Sequence, residues 1–320
     1  MTLTSPLAPP PLTTPRVAIL APCYNEAAAI GQVVRDFKAA LPEATIYVYD
    51  NNSTDDTSAV ARAAGAVVRL ETMRGKGNVV RRMYADIEAD VYVLVDGDDT
   101  YEAAAAPAMV ARLWSEHLDM INGRRITEIE AAYRAGHRLG NVVLTGIVRK
   151  LFGDPIHDML SGYRVFSRRF VKSFPTIAEG FGIETEMTVH ALRLRMPLAE
   201  MPTRYKDRPV GSVSKLRTYH DGVLILNTIL ALVRQERPIM FFSMISTLLT
   251  LAALILIYPV VVEYIHTGLV RRFPTAILAT GIMLAAFLSL TSGVILDSVT
   301  RGRWEVKRLQ YLSLKGPGVE

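Results

Sequence analysis

"VYVLVDGDDTYE", residues 91–102, runs from a short apolar stretch straight into four carboxylates. Asp96, Asp98 and Asp99 are nearly adjacent, and Glu102 follows closely. Like charges at that spacing repel, and one unpaired carboxylate buried at a strand end is costly. Two arrangements relieve the repulsion: a solvated Asp-rich turn, or a divalent cation held by oxygen ligands. A D-x-D at a strand end suits Mg²⁺ or Mn²⁺, which takes oxygen ligands and bridges to substrate phosphates. The tetrapeptide by itself does not decide between them.

The residues before it give the context. "VAILAPCY", "TIYVYD", "AVVRLE" and "VYVLVD" read as short apolar strands. "EAAAIGQVVRDFKAAL", "TSAVARAAG" and "GKGNVVRRMYADIEA" read as helices between them. This alternation predicts a parallel sheet covered by helices on both faces. Ligands of such sheets sit outside the carboxyl ends of the strands. Those ends carry "PCYNE", "DNNSTDD", "RGKGN" and "DGDDT", which bring carboxylate, amide, glycine and lysine to one edge. A nucleotide-type site follows. Tyr24 suits stacking on a base, Glu26 and Asp50 accept hydrogen bonds from base or ribose, and the helix N-termini favour phosphate. "NNSTDD" equally serves as an N-cap. The glycines around Lys76 allow close approach to a phosphate, a weak signal alone. "VLVDGDDT" also fits the D-x-D-x-T of phosphatases, with Asp96 as nucleophile and Asp98 as acid/base. That motif normally ends a first strand, whereas here three strands with their own polar ends precede it.

Past residue 110, "HLDMINGRR" reads as a strand entering a basic turn. A helical stretch continues through "RLGNVVLTGIVRKLFG", then "DPIHDMLSGYRVFSRR" reads as an irregular loop and "AEMPTRYKDRP" as a final strand. Residues 239–262 and 273–296 contain no charged side chain. Each is long enough to cross a hydrocarbon core of about 30 Å. Separated only by "EYIHTGLVRR", they read as a transmembrane hairpin. Arg234 and Arg237 precede it and Arg301, Arg303, Lys307 and Arg308 follow, against Arg271 and Arg272 between the spans. That bias predicts a catalytic domain and both termini in the cytoplasm. Residues 216–238 read as an amphipathic interfacial helix. Residues 1–15 read as a disordered Pro-rich leader without the features of a signal peptide. The single cysteine, Cys23, excludes an intrachain disulfide and fits a reducing compartment. The net charge of +5 is assigned to anionic headgroups and phosphates. No basic stripe interleaved with aromatics points to nucleic acid. His137, His157, His190 and His220 are too scattered for a zinc site.

"APCYNE", "DNNSTDDT", "GKGN" and "DGDD", in this order and spacing, resemble the donor half of family 2 inverting glycosyltransferases. "NGRR", "HDMLSGYRVFSRR", "GFGIETEMTVHA" and "EMPTRYKDRPVGSVSKL" are similar to polyprenyl-phosphate sugar transferases, with dolichyl-phosphate mannose synthases the nearest type. The resemblance covers about residues 16–220 and implies a GT-A type nucleotide-sugar-binding α/β domain over 16–215. The two spans of 239–296 and a cytoplasmic tail of 297–320 fit its membrane-anchored members. It implies Asp96 and Asp98 as ligands of Mg²⁺ or Mn²⁺ on the donor diphosphate. Pro22, Tyr24, Glu26 and Asp50 match nucleotide contacts, with the loop Gly75, Lys76 and Gly77 beside them. Arg208 and Lys215 match a basic loop closing over the diphosphate. Arg124 and Arg138 match residues that hold the acceptor phosphate, and Asp158 the acid before the small-residue turn. Asp98, Asp158 and Arg124 thus form the implied catalytic set. Two departures stand out: Asn51 where the family often has a second acid, and Thr100 where a longer polar side chain can serve as an extra metal ligand.

The implied reaction moves one hexose from a nucleoside-diphosphate sugar to polyprenyl phosphate with inversion. Mannose from GDP-mannose is the first expectation and glucose from UDP-glucose the second. A lipid phosphate is already an anionic nucleophile at neutral pH, so positioning and charge stabilisation replace a strong general base. Arginine pairs are natural phosphate clamps. A processive polysaccharide synthase is the enzymatic rival, but Q-x-x-R-W is missing and Trp304 simply follows "RGR". A membrane-tethered scaffold that binds nucleotide sugar without turnover is the non-enzymatic rival. Expected partners are the donor, polyprenyl phosphate and membrane lipids. The tail "RGRWEVKRLQYLSLKG" suits either a second subunit or headgroups.

Overall fold

The computed structural model describes residues 14–126, 146, 156–175, 182–208, 231 and 233–318. The chain divides into residues 1–221 with 307–320, and residues 222–306. The strands of the first unit are β1 (Val17–Cys23), β2 (Thr45–Asp50), β3 (Val67–Leu70), β4 (Val91–Leu94), β5 (Met120–Ile126), β6 (Arg164–Ser167) and β7 (Leu198–Arg204). They form one sheet in the order β3-β2-β1-β4-β6-β5-β7.

The expected parallel sheet holds for β1 to β4. It fails beyond them, because β6 runs antiparallel between β4 and β5, while β5 and β7 pair in parallel. The sheet is mixed. The segment read as an irregular loop, "DPIHDMLSGYRVFSRR", contains β6 and the start of a helix. The strand was hidden because its first residue, Arg164, is a fully buried guanidinium, and an arginine there reads as loop. It is held by the carbonyls of Ser161 (3.0 Å) and Met159 and by the Thr188 hydroxyl (2.8 Å). Burial lowers its pKa.

Helices α1 (Ile30–Ala40), α2 (Thr57–Ala63), α3 (Lys76–Asp86), α4 (Ala106–Ser115), α5 (Arg168–Ser173) and α6 (Ile183–Leu194) cover the sheet. In α1 the buried Ile30, Val33, Val34 and Phe37 recur at the spacing of one helical face. They pack with Val91 and Val93 of β4 and Met109 and Leu113 of α4. The alternate residue of β4, Tyr92, meets Tyr84 of α3 edge-on, and Tyr84 meets Phe166 of β6 and Phe174 likewise. Alternation along one fully buried strand therefore feeds two cores. α3 stops at Asp86, short of the expected Ala89, where Ile87 turns extended.

In the second unit, α7 (Pro238–Thr267) and α8 (Phe273–Leu312) have mean hydropathies of 2.4 and 1.9 over their most apolar stretches and are long enough to span a membrane. The two come close at Gly293, where an added Cβ would lie 2.9 Å from Phe242, and the Ser289 hydroxyl donates to the Phe242 carbonyl at 3.0 Å. α8 continues sixteen residues past the span end expected at Leu296. Its last turn belongs to the first unit. There the Tyr311 hydroxyl donates to buried Asp119 at 2.7 Å, beneath the Arg169 guanidinium, 4.4 Å from the Tyr311 ring centre. The expected leader lies almost wholly outside the described residues. Of the expected interfacial helix, residues 231 and 233–236 are helical and most of the remainder lies outside them.

Candidate active site

The carboxyl ends of β1, β2 and β4 each turn through a non-glycine residue with positive φ: Asn25 (53°), Asn52 (63°) and Asp99 (58°). Asn and Asp tolerate that conformation because their short polar side chains bond locally. The Asn25 carboxamide oxygen accepts from the Thr54 N–H at 2.7 Å, and the Asn52 amide donates to the Glu71 and Thr72 carbonyls. Three tight turns therefore share one sheet edge, where the D-x-D stands.

Asp96 and Asp98 follow β4 directly. The Lys76 ammonium donates to Asp96 Oδ1 at 2.6 Å and also to Glu184 Oε1. Asp98 Oδ1 accepts from the Thr100 hydroxyl at 2.7 Å, and Asp98 Oδ2 pairs with Arg208 Nη2 at 2.7 Å. Asp99 pairs with Lys206 at 3.2 Å. The Lys206 N–H donates to the Thr100 carbonyl at 2.7 Å, and Tyr101 bridges Tyr205. The segment leaving β7 is thus laced onto the acidic turn. Burial, with Asp96 close by, pushes the Asp98 carboxyl above its ordinary pKa, while Arg208 and Thr100 pull the other way. Burial alone would lower the Lys76 pKa, but Asp96 and Glu184 overcome it and raise it. Lys76 is therefore an ammonium throughout the physiological range.

Asp96 faces Gly162, where a Cβ would collide with the carboxylate. The Gly162 N–H donates to the Tyr101 hydroxyl at 2.8 Å. Nearby in sequence, Asp158 is a strut. Its two oxygens accept from Arg125 Nη2 (2.7 Å) and Nε (2.8 Å), and the Arg125 N–H adds a third bond at 3.1 Å. Arg125 lies 5.5 Å from the Tyr205 ring centre. Its neighbour Arg124 is exposed and pairs with no carboxylate among the described residues. Of the two arginines in "NGRR", Arg124 is the one left open to an anion.

The nucleotide candidates fall into two groups. Pro22, in β1 opposite Tyr49, and exposed Tyr24 stand at the edge. Asp50 is turned inward: Oδ1 accepts from the Ser53 N–H (2.8 Å) and Oδ2 from the Ser58 hydroxyl (2.6 Å). Glu26 is buried, and its carbonyl accepts from the N–H groups of Ala29 and Ile30. Asn51, the departure from the family acid, ties the loops together. Its amide donates to the Glu71 (2.9 Å) and Met73 (2.7 Å) carbonyls, and its oxygen accepts from the Gly75 N–H at 2.7 Å. An acid there would lose both donations. Gly75, at φ 119°, then opens α3 with Lys76 and buried Gly77. Arg138 and Lys215 lie outside the described residues.

The donor set fits a divalent cation. Asp96 and Asp98 supply hard oxygen ligands, and the bonds now made to them come from Lys76, Arg208 and the hydroxyl and N–H of Thr100. Among the described residues no group of three or more His, Cys, Asp or Glu converges. Two carboxylates with the remaining ligands from phosphate and water is the ordinary pattern for Mg²⁺. Four contributors escaped the sequence reading: Lys206, Arg125, Gly162 and Glu184. Strand alternation in "NGRR" could have separated Arg125 from Arg124. Glu184 stood only within the resembling stretch "GFGIETEMTVHA", with no role of its own; the structure sets it in the first turn of α6, where the helix dipole favours an acid anyway.

Residues 18–174 match the model described as glycosyl transferase family 2. The chain is 32% identical over 303 residues to the glycosyltransferase AglJ of Haloferax volcanii, spanning 94% of this chain and 99% of that protein. It is 27% identical over 221 residues to the dolichyl-phosphate hexose transferase of the same organism, spanning 69% and 95%. The crystal structure of M. tuberculosis glucosyl-3-phosphoglycerate synthase shares the fold, with a TM-score of 0.55, 23% identity and 68% of this chain and 80% of that one covered. A further structure of that synthase holds Mn²⁺ and uridine diphosphate. The mixed sheet with its covering helices is a GT-A fold.

Proposed function

The chain belongs to glycosyltransferase family 2, and from that premise we propose that it transfers one hexose from a nucleoside-diphosphate sugar to polyprenyl phosphate, with inversion at the anomeric carbon. The observation that carries this reading is the acidic turn ringed by cations: Lys76 on Asp96, Arg208 on Asp98 and Lys206 on Asp99. Such a ring suits a diphosphate, whose charge must be held as it leaves. Asp96 and Asp98 would hold Mg²⁺ or Mn²⁺, which supplies charge neutralisation at the donor diphosphate. Arg208, with Lys215 further along, flanks the same group. Pro22, Tyr24, Glu26 and the turn Gly75–Gly77 border the nucleotide. Asp50 acts by fixing its turn and the start of α2, since its oxygens accept from Ser53 and Ser58.

Arg124, exposed near the end of β5, and Arg138 draw the acceptor phosphate towards the sugar. Asp158 sets the neighbouring Arg125 and so serves as a positioning group. The acceptor class is supported by the dolichyl-phosphate hexose transferase among the relatives and by two helices of membrane-spanning length. Polyprenyl phosphate presents its headgroup at the bilayer surface, where a membrane-anchored chain meets it. The charge bias supports a cytoplasmic side for the catalytic domain and both termini. Mannose from GDP-mannose is the favoured donor and UDP-glucose the second.

Two measurements test this reading. The preferred donor raises the melting temperature in Mg²⁺ more than other nucleotide sugars do. Arg124→Ala lowers the acceptor-dependent rate roughly ten- to a hundredfold, the worth of one charge-assisted phosphate contact, and leaves donor affinity nearly intact. Collapse of donor binding with unchanged acceptor dependence assigns Arg124 to the nucleotide instead.

A further inference from the structure

We propose that Glu184 is a positioning residue for Asp96: it gives Lys76 a second anion to rest on, so that a divalent cation can take Asp96 without the lysine competing for it. The inference rests on the reading of Asp96 and Asp98 as the cation's ligands.

Lys76 is not a mobile loop lysine. It opens α3 behind Gly75, whose N–H is pinned by Asn51 Oδ1 at 2.7 Å, and its side chain is 14% exposed. Glu184 is fixed as firmly. Its side chain is 7% exposed in the first turn of α6. Its carbonyl accepts from the Thr188 hydroxyl (3.0 Å), which accepts in turn from buried Arg164 (2.8 Å). Asp96, by contrast, is 30% exposed. One ammonium therefore bridges two carboxylates, of which one is sealed and the other opens to solvent.

That asymmetry has a chemical consequence. A divalent cation held by Asp96 would repel the ammonium that now pairs with it. A buried ammonium with no other partner would resist, because losing its only anion leaves an uncompensated charge out of water. With Glu184 on its other side, Lys76 keeps an ion pair while Asp96 changes partner. Remove Glu184, and Lys76 has Asp96 alone among the carboxylates paired with it.

The test measures Mn²⁺ bound to the purified full-length chain with UDP or GDP held at saturation for each variant, so that changed nucleotide affinity does not enter, read by electron paramagnetic resonance and independent of turnover. Glu184→Gln should weaken Mn²⁺ binding about tenfold, the scale of one charge-assisted contact. The same substitution on a Lys76→Gln background should change binding by less than about twofold, because the competitor is gone. Lys76→Gln alone should bind Mn²⁺ at least as tightly as wild type. Equal weakening by Glu184→Gln on both backgrounds would overturn the proposal, since Glu184 would then act through space or through the fold. No weakening on either background would overturn it as well. Should Glu184→Gln fail to fold, Lys76→Gln decides alone: weaker Mn²⁺ binding than wild type counts against. If wild type binds no Mn²⁺, or Asp98→Asn binds as much, the metal reading itself fails and takes this proposal with it.

Discussion

Asp98 joins the chemistry to the fold. It is 5% exposed, Thr100 holds one oxygen and Arg208 the other. Asp98→Asn keeps the shape and removes the charge. Turnover should fall at least about a hundredfold, as for loss of one preorganised electrostatic group, while the thermal melt stays within a few degrees. Excess chelator should stop the wild type, and Mn²⁺ should partly replace Mg²⁺. Full activity in chelator would end the metal role. Much of this was legible in the chain, because carboxylates just after an apolar strand have few physical reasons to exist. What was not legible is who neutralises them. Lys76, Lys206 and Arg208 are separated from Asp96–Asp99 by 20 to more than 100 positions, and only the folded sheet edge brings them together. Asp50 shows the reverse. Its residue type suits a ribose contact, but Ser53 in its turn and Ser58 in α2 already bond its two oxygens.

Helix α6 carries the clearest pH dependence. His190 packs edge-on against Phe170 and Phe174, and its Nδ1 is buried with no hydrogen-bond partner among the described residues. Burial, and secondarily the Lys307 charge, lowers its pKa to about 3. Folded His190 is therefore neutral, while the unfolded chain takes up a proton near pH 6.5. Below that value the unfolded state binds more protons, so stability falls as pH falls, by up to about 1.4 kcal/mol per pH unit. Thermal melts between about pH 6.5 and 5, above the carboxylate range, should show this slope in wild type and a flatter one in His190→Gln. Equal slopes would mean that His190 is hydrated or charged in the fold. The elements themselves were unevenly readable. β1, β2 and β4 announced themselves as apolar runs, whereas β6 offered only Val165 and Phe166 beside a buried arginine. A strand buried on a charged side chain violates the pattern by which strands are recognised.

For the whole molecule, the apolar stretches were the easiest feature to read, and the helices that contain them, α7 and α8, are long enough to cross a membrane. The run of α8 to Leu312 was not foreseen, since "RGRWEVKRLQYL" is too polar to read as part of a span. The proposed topology, with both termini cytoplasmic, predicts that a reporter fused after Glu320 is inaccessible from outside the cell and a tag near Gly268 accessible. The reverse pattern would invert the topology. The reaction itself is decided by the product. The purified chain in liposomes containing polyprenyl phosphate, with one labelled nucleotide sugar and Mg²⁺, should yield a single sugar on lipid phosphate, its anomeric configuration opposite to the donor's. A polymer would assign the chain to the processive synthases. Retained configuration, or donor bound without any glycolipid formed, would contradict the transfer derived from Asp96, Asp98 and Arg124.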